Sequence, residues 1–254
     1  MFTGLLHDAP ETLDLEAHRA LGRDAYGWVV GPLVVPDDRL ANLGADPDAA
    51  EMAISVLLGT GAGGLLALGR RRTGARLAAV ETVLRDLDDL AGNAARVVSA
   101  AESLPEGVDV YVGCPGLPGM LEAVETIEAA SLLGRVDLSP VAVGAPRYSP
   151  AEQLSLLVEA DLPFKVAGTS PDAFGANGVG AVLTAVEALI DGADPDEAAA
   201  LLAAPDPARV LGALARWDAA TQSRVQRRLR GVDCPDLAAT LGSLVRAGLL
   251  EPSD

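Results

Sequence analysis

Histidine, cysteine, lysine and aromatic residues are all scarce in this sequence, and each scarcity removes a class of chemistry. The two cysteines, Cys114 and Cys234, can build no disulfide framework and fit a reducing compartment, so a cytoplasmic location is expected. Only two histidines exist, His7 and His18, and both precede the first strand that can be read. Neither a histidine-based zinc centre nor a Ser-His-Asp triad is therefore expected, and no metal is assigned. No apolar run is long enough to cross a bilayer. The opening MFTGLLHDAPETLDLEAHRA lacks the basic start and apolar centre of a signal peptide. With aromatics at 3% and hydrophobic residues at 50%, a large core must be filled by Leu, Val and Ala. Positive charge is short as well: 19 basic residues face 36 acidic ones, a net charge of −17. Nucleic acid and anionic membrane surfaces would be repelled by it. Two basic clusters stand out, Arg70, Arg71, Arg72 and Arg76, then Arg224, Arg227, Arg228 and Arg230. Both read as solvated helix ends or faces.

What is present is a regular alternation. Six short, continuously apolar runs are each followed by a helical stretch: WVVGPLVVP (28–36), AISVLL (53–58), RLAAVETVL (76–84), VDVYVGC (108–114), GRVDLSPVAV (134–143) and LPFKVAGTS (162–170). Continuous apolar runs are how parallel strands covered on both faces read. Such units in series predict an α/β fold, a distorted (β/α) barrel of TIM type spanning residues 1–254 as a single domain. From Gly178 to Arg230 the pattern is helical and broken at Pro205–Pro207, so a helical segment stands in for one regular unit. LRGVDCP (229–235) reads as a last short strand and DLAATLGSLVRAGLL as a closing helix.

The single lysine, Lys165, lies inside the apolar run DLPFKVAGTS, where a mobile surface charge is out of place. Arginine serves everywhere else in this chain, but it cannot replace an amine that must lose its proton. Alternation puts Lys165 and Thr169 on the interior side of the strand, with Phe164 and Val166 under the helices. A desolvated interior amine suits Schiff-base chemistry, while an ion pair with Glu81 or Asp137 would make it structural. Those two acids are equally candidates for general acid or base, although acids beside an amine oppose its nucleophilicity. Arg135 shares parity with Asp137 on the neighbouring run. GTGAGG (59–64) fits G-x-G-x-x-G between a strand and a helix, with Glu81 about twenty residues on, as in dinucleotide-binding units. A plain tight turn or an anion-binding loop fits the same glycines.

HDAPETLDLEAHRAL, YGWVVGPLVVPDDRLANL, RLAAVETVL, VDVYVGCP, LPFKVAGTS and GVDCPDLAATLGSLVRAGLL, taken in order, resemble an uncharacterised family of barrel-like proteins from high-GC bacteria. The resemblance implies the barrel fold and carries no established reaction. Glu81 and Lys165 match the family pattern. Gly113 stands where the pattern has an acid, Arg135 and Asp137 where it has a basic pair, and Thr169-Ser170-Pro171 where it has paired histidines. At Lys165 alone the chain is also similar to barrel aldolases with a lysine on their sixth strand.

The leading expectation is a barrel enzyme of lyase, aldolase or isomerase type, acting on a small anionic carbonyl compound and using no cofactor. Its catalytic residues would be Lys165, Glu81 and Asp137, and its substrate-binding residues Arg135, Thr169, Ser170, Tyr111, Thr60 and Gly61. The departures from the family pattern support an alternative, a non-catalytic barrel serving as partner or scaffold subunit, in a homo-oligomer or with a homologous partner. A nucleotide-cofactor protein using GTGAGG is the third reading.

Overall fold

The apolar runs become strands for a physical reason. Each is β-branched or leucine-rich, too short for a stable helix, and closed by Gly, Pro or Asp. The computed structural model describes residues 2–43, 47–71, 73–139 and 147–253. Its strands are β1 (Leu6–Asp8), β2 (Val30–Pro36), β3 (Ala53–Leu57), β4 (Arg76–Val83), β5 (Asp109–Gly113), β6 (Leu133–Asp137), β7 (Phe164–Ala167) and β8 (Leu229–Cys234). They pair in sequence order, all parallel, and β8 closes onto β1 to complete an eight-stranded barrel. This is the TIM-type α/β barrel that the alternation predicts.

Helices cover the outside. They include α1 (Leu15–Arg23), α2 (Leu40–Leu43), α3 (Ala62–Leu68), α4 (Leu90–Ala101), α5 (Met120–Ala129) and α6 (Pro150–Glu159). Capping fixes several starts. Ser149 and Glu152 form a reciprocal capping box ahead of Pro150 at the head of α6. Leu65, Val97, Ile127 and Leu154 press the helices onto outward strand residues such as Ile54, Val80 and Val166, all of them buried. The helical segment expected late in the chain is α7 (Val179–Ile190), α8 (Pro195–Ala203), α9 (Pro207–Leu214) and α10 (Ala219–Arg228). It carries the chain from β7 to β8, and α11 (Leu237–Arg246) ends the order. Among the described residues no helix is long and apolar enough to cross a membrane.

Two expectations change. The sequence reading counts strands from WVVGPLVVP, but the first strand is Leu6–Asp8, so His7 does not precede the barrel; it belongs to it. The exclusion of histidine from the strands is thereby overturned. The run 134–143 is also shorter as a strand, ending at Asp137; residues 140–143, like Arg72 of the first basic cluster, lie outside the described residues. Arg70, Arg71 and Arg76 are exposed. In the second cluster Arg224 pairs with Asp191 at 2.5 Å, Arg228 pairs with Asp161, and Arg227 and Arg230 are exposed.

Candidate functional site

Successive strand residues point alternately to the helices and to the barrel interior, and the interior positions converge on Lys165. Its ammonium is wholly buried, 2.6 Å from Glu81 Oε1 on β4 and 2.6 Å from Asp233 Oδ1 on β8. His7 Nδ1 on β1 is 3.1 Å away, and the Tyr111 ring on β5 lies 5.5 Å from the nitrogen. An ammonium only donates, so His7 Nδ1 accepts and the imidazole proton sits on Nε2. Burial, with the charge of Lys165 beside it, holds the His7 imidazolium well below its usual range, so the ring is neutral.

Glu81 is the anchor of this layer. Its Oε1 also accepts from Ser55 on β3 at 2.7 Å, and its Oε2 accepts from Arg135 Nε on β6 at 3.0 Å. Burial alone would push this carboxyl up, but Lys165, Arg135 and the hydrogen bonds outweigh it and hold Glu81 below the usual carboxylate range. Arg135 reaches on to Asp137 through Nη1 at 3.2 Å. That contact lies at the rim, where the Asp137 side chain is 44% exposed. Asp137 is held below its usual range too: burial is outweighed by Arg135 and by bonds from Ser139.

Room for His7 comes from two glycines flanking β1. A Cβ at Gly231 would lie 2.6 Å from His7 Cε1 and Nε2, and one at Gly31 would lie 2.5 Å from His7 Cδ2. Any side chain at either position would expel the ring. On the far side of β1, Asp8 Oδ2 accepts from His18 Nδ1–H of α1 at 3.0 Å, tying helix to strand.

Above this closed layer the C-terminal ends of the strands line an open hollow of about 230 Å³. Arg135, Thr169 and Asp233 supply its polar lining, and Val34, Pro36 and Leu57 an apolar wall. Asp233 links the two levels. Its Oδ1 is buried against the lysine ammonium at 2.6 Å, and the residue also lines the cavity above. Burial pushes the Asp233 carboxyl up to about 6; Lys165 and Arg135 pull it down, and Glu81 adds to the rise. Thr169 donates to the Asp233 backbone carbonyl, clamping β7 to β8. Gly168, at φ 70°, lets the chain pass beneath the Asp137–Ser139 turn, where a Cβ would lie 2.4 Å from Asp137 Oδ1.

Of the residues singled out from sequence, Lys165, Glu81, Asp137, Arg135 and Tyr111 form one network, and Thr169 lines the cavity above it. Ser170 turns away: its N–H bonds to Asn177 and its hydroxyl accepts from Asp172 N–H. Thr60 and Gly61 enter α3 beside a separate cleft that Thr60 shares with Asp37 and Asp38. Arg71 lines the same cleft, and the two carboxylates outweigh its single positive charge toward a pyrophosphate. The acid that the dinucleotide reading needs, Glu81, is sealed inside the barrel with both oxygens engaged. Cys114 and Cys234 are buried free thiols, and burial pushes Cys114 up to about 12.

Sequence reasoning missed His7, Asp233 and Ser55. For Asp233 a signal existed: in LRGVDC, alternation puts Gly231 and Asp233 together on the interior face. The chain matches no protein-family model, no curated protein and no solved structure, so its function has to be read from the site itself.

Proposed function

We propose that this chain is a barrel enzyme of isomerase or lyase type that moves a proton on a small anionic carbonyl compound held at the barrel mouth. The observation that carries the reading is Asp233: a carboxyl that lines the mouth cavity and is poised between the cations of Lys165 and Arg135. A carboxyl that changes charge near pH 6 is suited to take and return a proton under mild conditions. In the proposed step Asp233 removes a proton from the carbon beside the substrate carbonyl, and the electron pair moves onto the carbonyl oxygen. Arg135 stabilises that oxygen's charge. Return of the proton to another carbon gives isomerisation; loss of a group from the next carbon gives elimination.

Lys165 serves here as a fixed ammonium that, with Arg135, keeps Asp233 available as an anion. Complete burial and the close carboxylates count against a nucleophilic amine in this arrangement. The test is solvent-deuterium exchange, followed by NMR, across a panel of small 2-oxo and 3-oxo acids. Exchange that disappears in Asp233→Asn supports the proposal, and no exchange across the panel overturns it. Borohydride trapping with the same panel is expected to leave Lys165 unmodified.

The sealing of Lys165 and Glu81 favours a second reading, a barrel whose interior charges only hold strands together while its surface serves a partner chain. Unaided turnover by the purified chain would end it.

A further inference from the structure

The geometry points to a more specific ligand: the mouth cavity takes a singly charged carboxylate with a short apolar tail, and takes up one proton together with it. This rests on the mouth being the working site. Size and lining come first. About 230 Å³ suits a molecule of a few carbon atoms, below the usual range of sites for drug-sized ligands. Val34, Pro36 and Leu57 offer the tail no hydrogen bonds. Arg135 Nε and Nη1 are committed to Glu81 and Asp137, which leaves Nη2, without a bond to any described residue, for the ligand's carboxylate.

Charge then decides how much anion the cavity tolerates. The groups facing Asp233 are Lys165 from β7, Arg135 from β6, Glu81 from β4, Tyr111 from β5 and neutral His7 from β1. Its neighbour Cys234 points outward and stays a thiol, and Asp8 on β1 faces His18 of α1. Two cations thus meet Glu81, Asp137 and Asp233, a sum of −1 when all three acids are ionised. A further anion beside an ionised Asp233 would be repelled at close range. Protonation of Asp233 cancels that repulsion and supplies an O–H to hydrogen-bond the incoming carboxylate; in that complex Asp233 is not a base, and only the ionised fraction of occupied sites carries out the proton removal proposed above. A phosphate dianion would bring a second charge against Asp137 and Asp233, with no second free cation within the described site.

The test is calorimetric titration of the full chain with 3-methyl-2-oxobutanoate, in two buffers of different ionisation enthalpy, across roughly pH 5.5 to 8. The expected result is uptake of close to one proton per ligand near neutrality, with affinity falling about tenfold per pH unit above the Asp233 transition. In Asp233→Asn, uptake is lost and affinity no longer follows pH. At about pH 8, where inorganic phosphate is a dianion, it is expected to bind at least about tenfold more weakly at equal concentration. Binding without proton uptake, tighter binding of phosphate, or no binding of the carboxylate at millimolar concentration would each overturn the inference. Because uptake is read on the wild-type chain, a variant that fails to fold leaves the test intact. Proton-linked binding without deuterium exchange counts against the proposed reaction alone; exchange without proton uptake counts against this inference alone.

Discussion

Replacing Lys165 with methionine keeps most of the side-chain volume and deletes only the charge. The ammonium sits 2.6 Å from one oxygen of Glu81 and 2.6 Å from one of Asp233. At an effective dielectric near 20, each such pair attracts by about 6 kcal/mol. Most of that is cancelled by the cost of stripping water from three buried ions. Removing one partner of a buried pair nevertheless costs about 3–5 kcal/mol, because the stranded charge stays desolvated. In Lys165→Met Glu81 keeps Arg135, so the stranded group is Asp233, which is already reluctant to ionise. It escapes by taking up a proton. The loss should therefore be about 3–5 kcal/mol at alkaline pH and smaller, by more than about 1 kcal/mol, at mildly acid pH. Adding Asp233→Asn to Lys165→Met should recover part of the loss at alkaline pH, a non-additivity expected of groups in contact. Urea unfolding followed by far-ultraviolet circular dichroism measures all of these. A penalty below about 1 kcal/mol at alkaline pH, the size of an exposed pair, would refute the claim that this ammonium is a buried counter-ion.

Gly231→Ala puts a methyl against His7 Cε1 and Nε2, so it should cost about 1–3 kcal/mol in unfolding free energy, and less in a His7→Ala background. Asp233 is held above its ordinary 3.8, at about 6, so the folded protein keeps a proton that the unfolded chain has already released. That contribution is complete below about pH 4 and lost as pH rises through about 6. The thermal midpoint of wild type relative to Asp233→Asn should fall across that window; a constant difference would refute the assignment. Glu81, held below its usual range, works in the opposite sense, and its contribution disappears only on acidification. Ser149→Ala removes one half of the capping box of α6 and should cost about 1 kcal/mol by the same urea assay. Cys114 and Cys234 should stay unreactive to a thiol reagent in the native chain and both react in denaturant.

The barrel was legible because strands buried on both faces leave a mostly apolar run, which β2 to β7 do apart from interior polar positions such as Glu81, Arg135 and Lys165. Leu6–Asp8 escapes that pattern: it is three residues long, two of them are polar, and its register with β2 shifts along its length. With β1 unseen, His7 looked like part of a lead-in. Parity along single strands placed Lys165, Glu81, Arg135 and Asp137 inside. It could not show that one nitrogen would meet residues from β1, β4 and β8, because those encounters are set by strand tilt across the closed barrel. Loop direction was the other blind spot. Thr60, Gly61 and Ser170 follow strands just as Thr169 does, yet only Thr169 turns over the mouth.

A barrel interior of this kind is ordinarily filled by layers of branched apolar side chains. Here one layer holds Lys165, Glu81, Arg135, His7 and Ser55, with Gly31 and Gly231 giving up their own side chains to admit the imidazole. Well-packed apolar residues in place of such ions are often neutral or stabilising, so stability alone gives no reason for the layer. The charges are also graded by depth. Lys165 and Glu81 are sealed, the Arg135 and Asp233 side chains are each 8% exposed, and Asp137 stands half in solvent. A network built only to join strands would gain nothing from carrying its charge upward to the mouth. One that sets the protonation of a carboxyl at the cavity floor needs that gradient. Its buried end would fix the potential where water cannot screen it, and its upper end would meet the proposed ligand. On this argument Lys165 acts without touching substrate. Lys165→Met should then shift the pH dependence of carboxylate binding toward higher pH as Asp233 becomes harder to ionise, whereas an unchanged profile in a folded variant would cut the lower layer out of the mechanism.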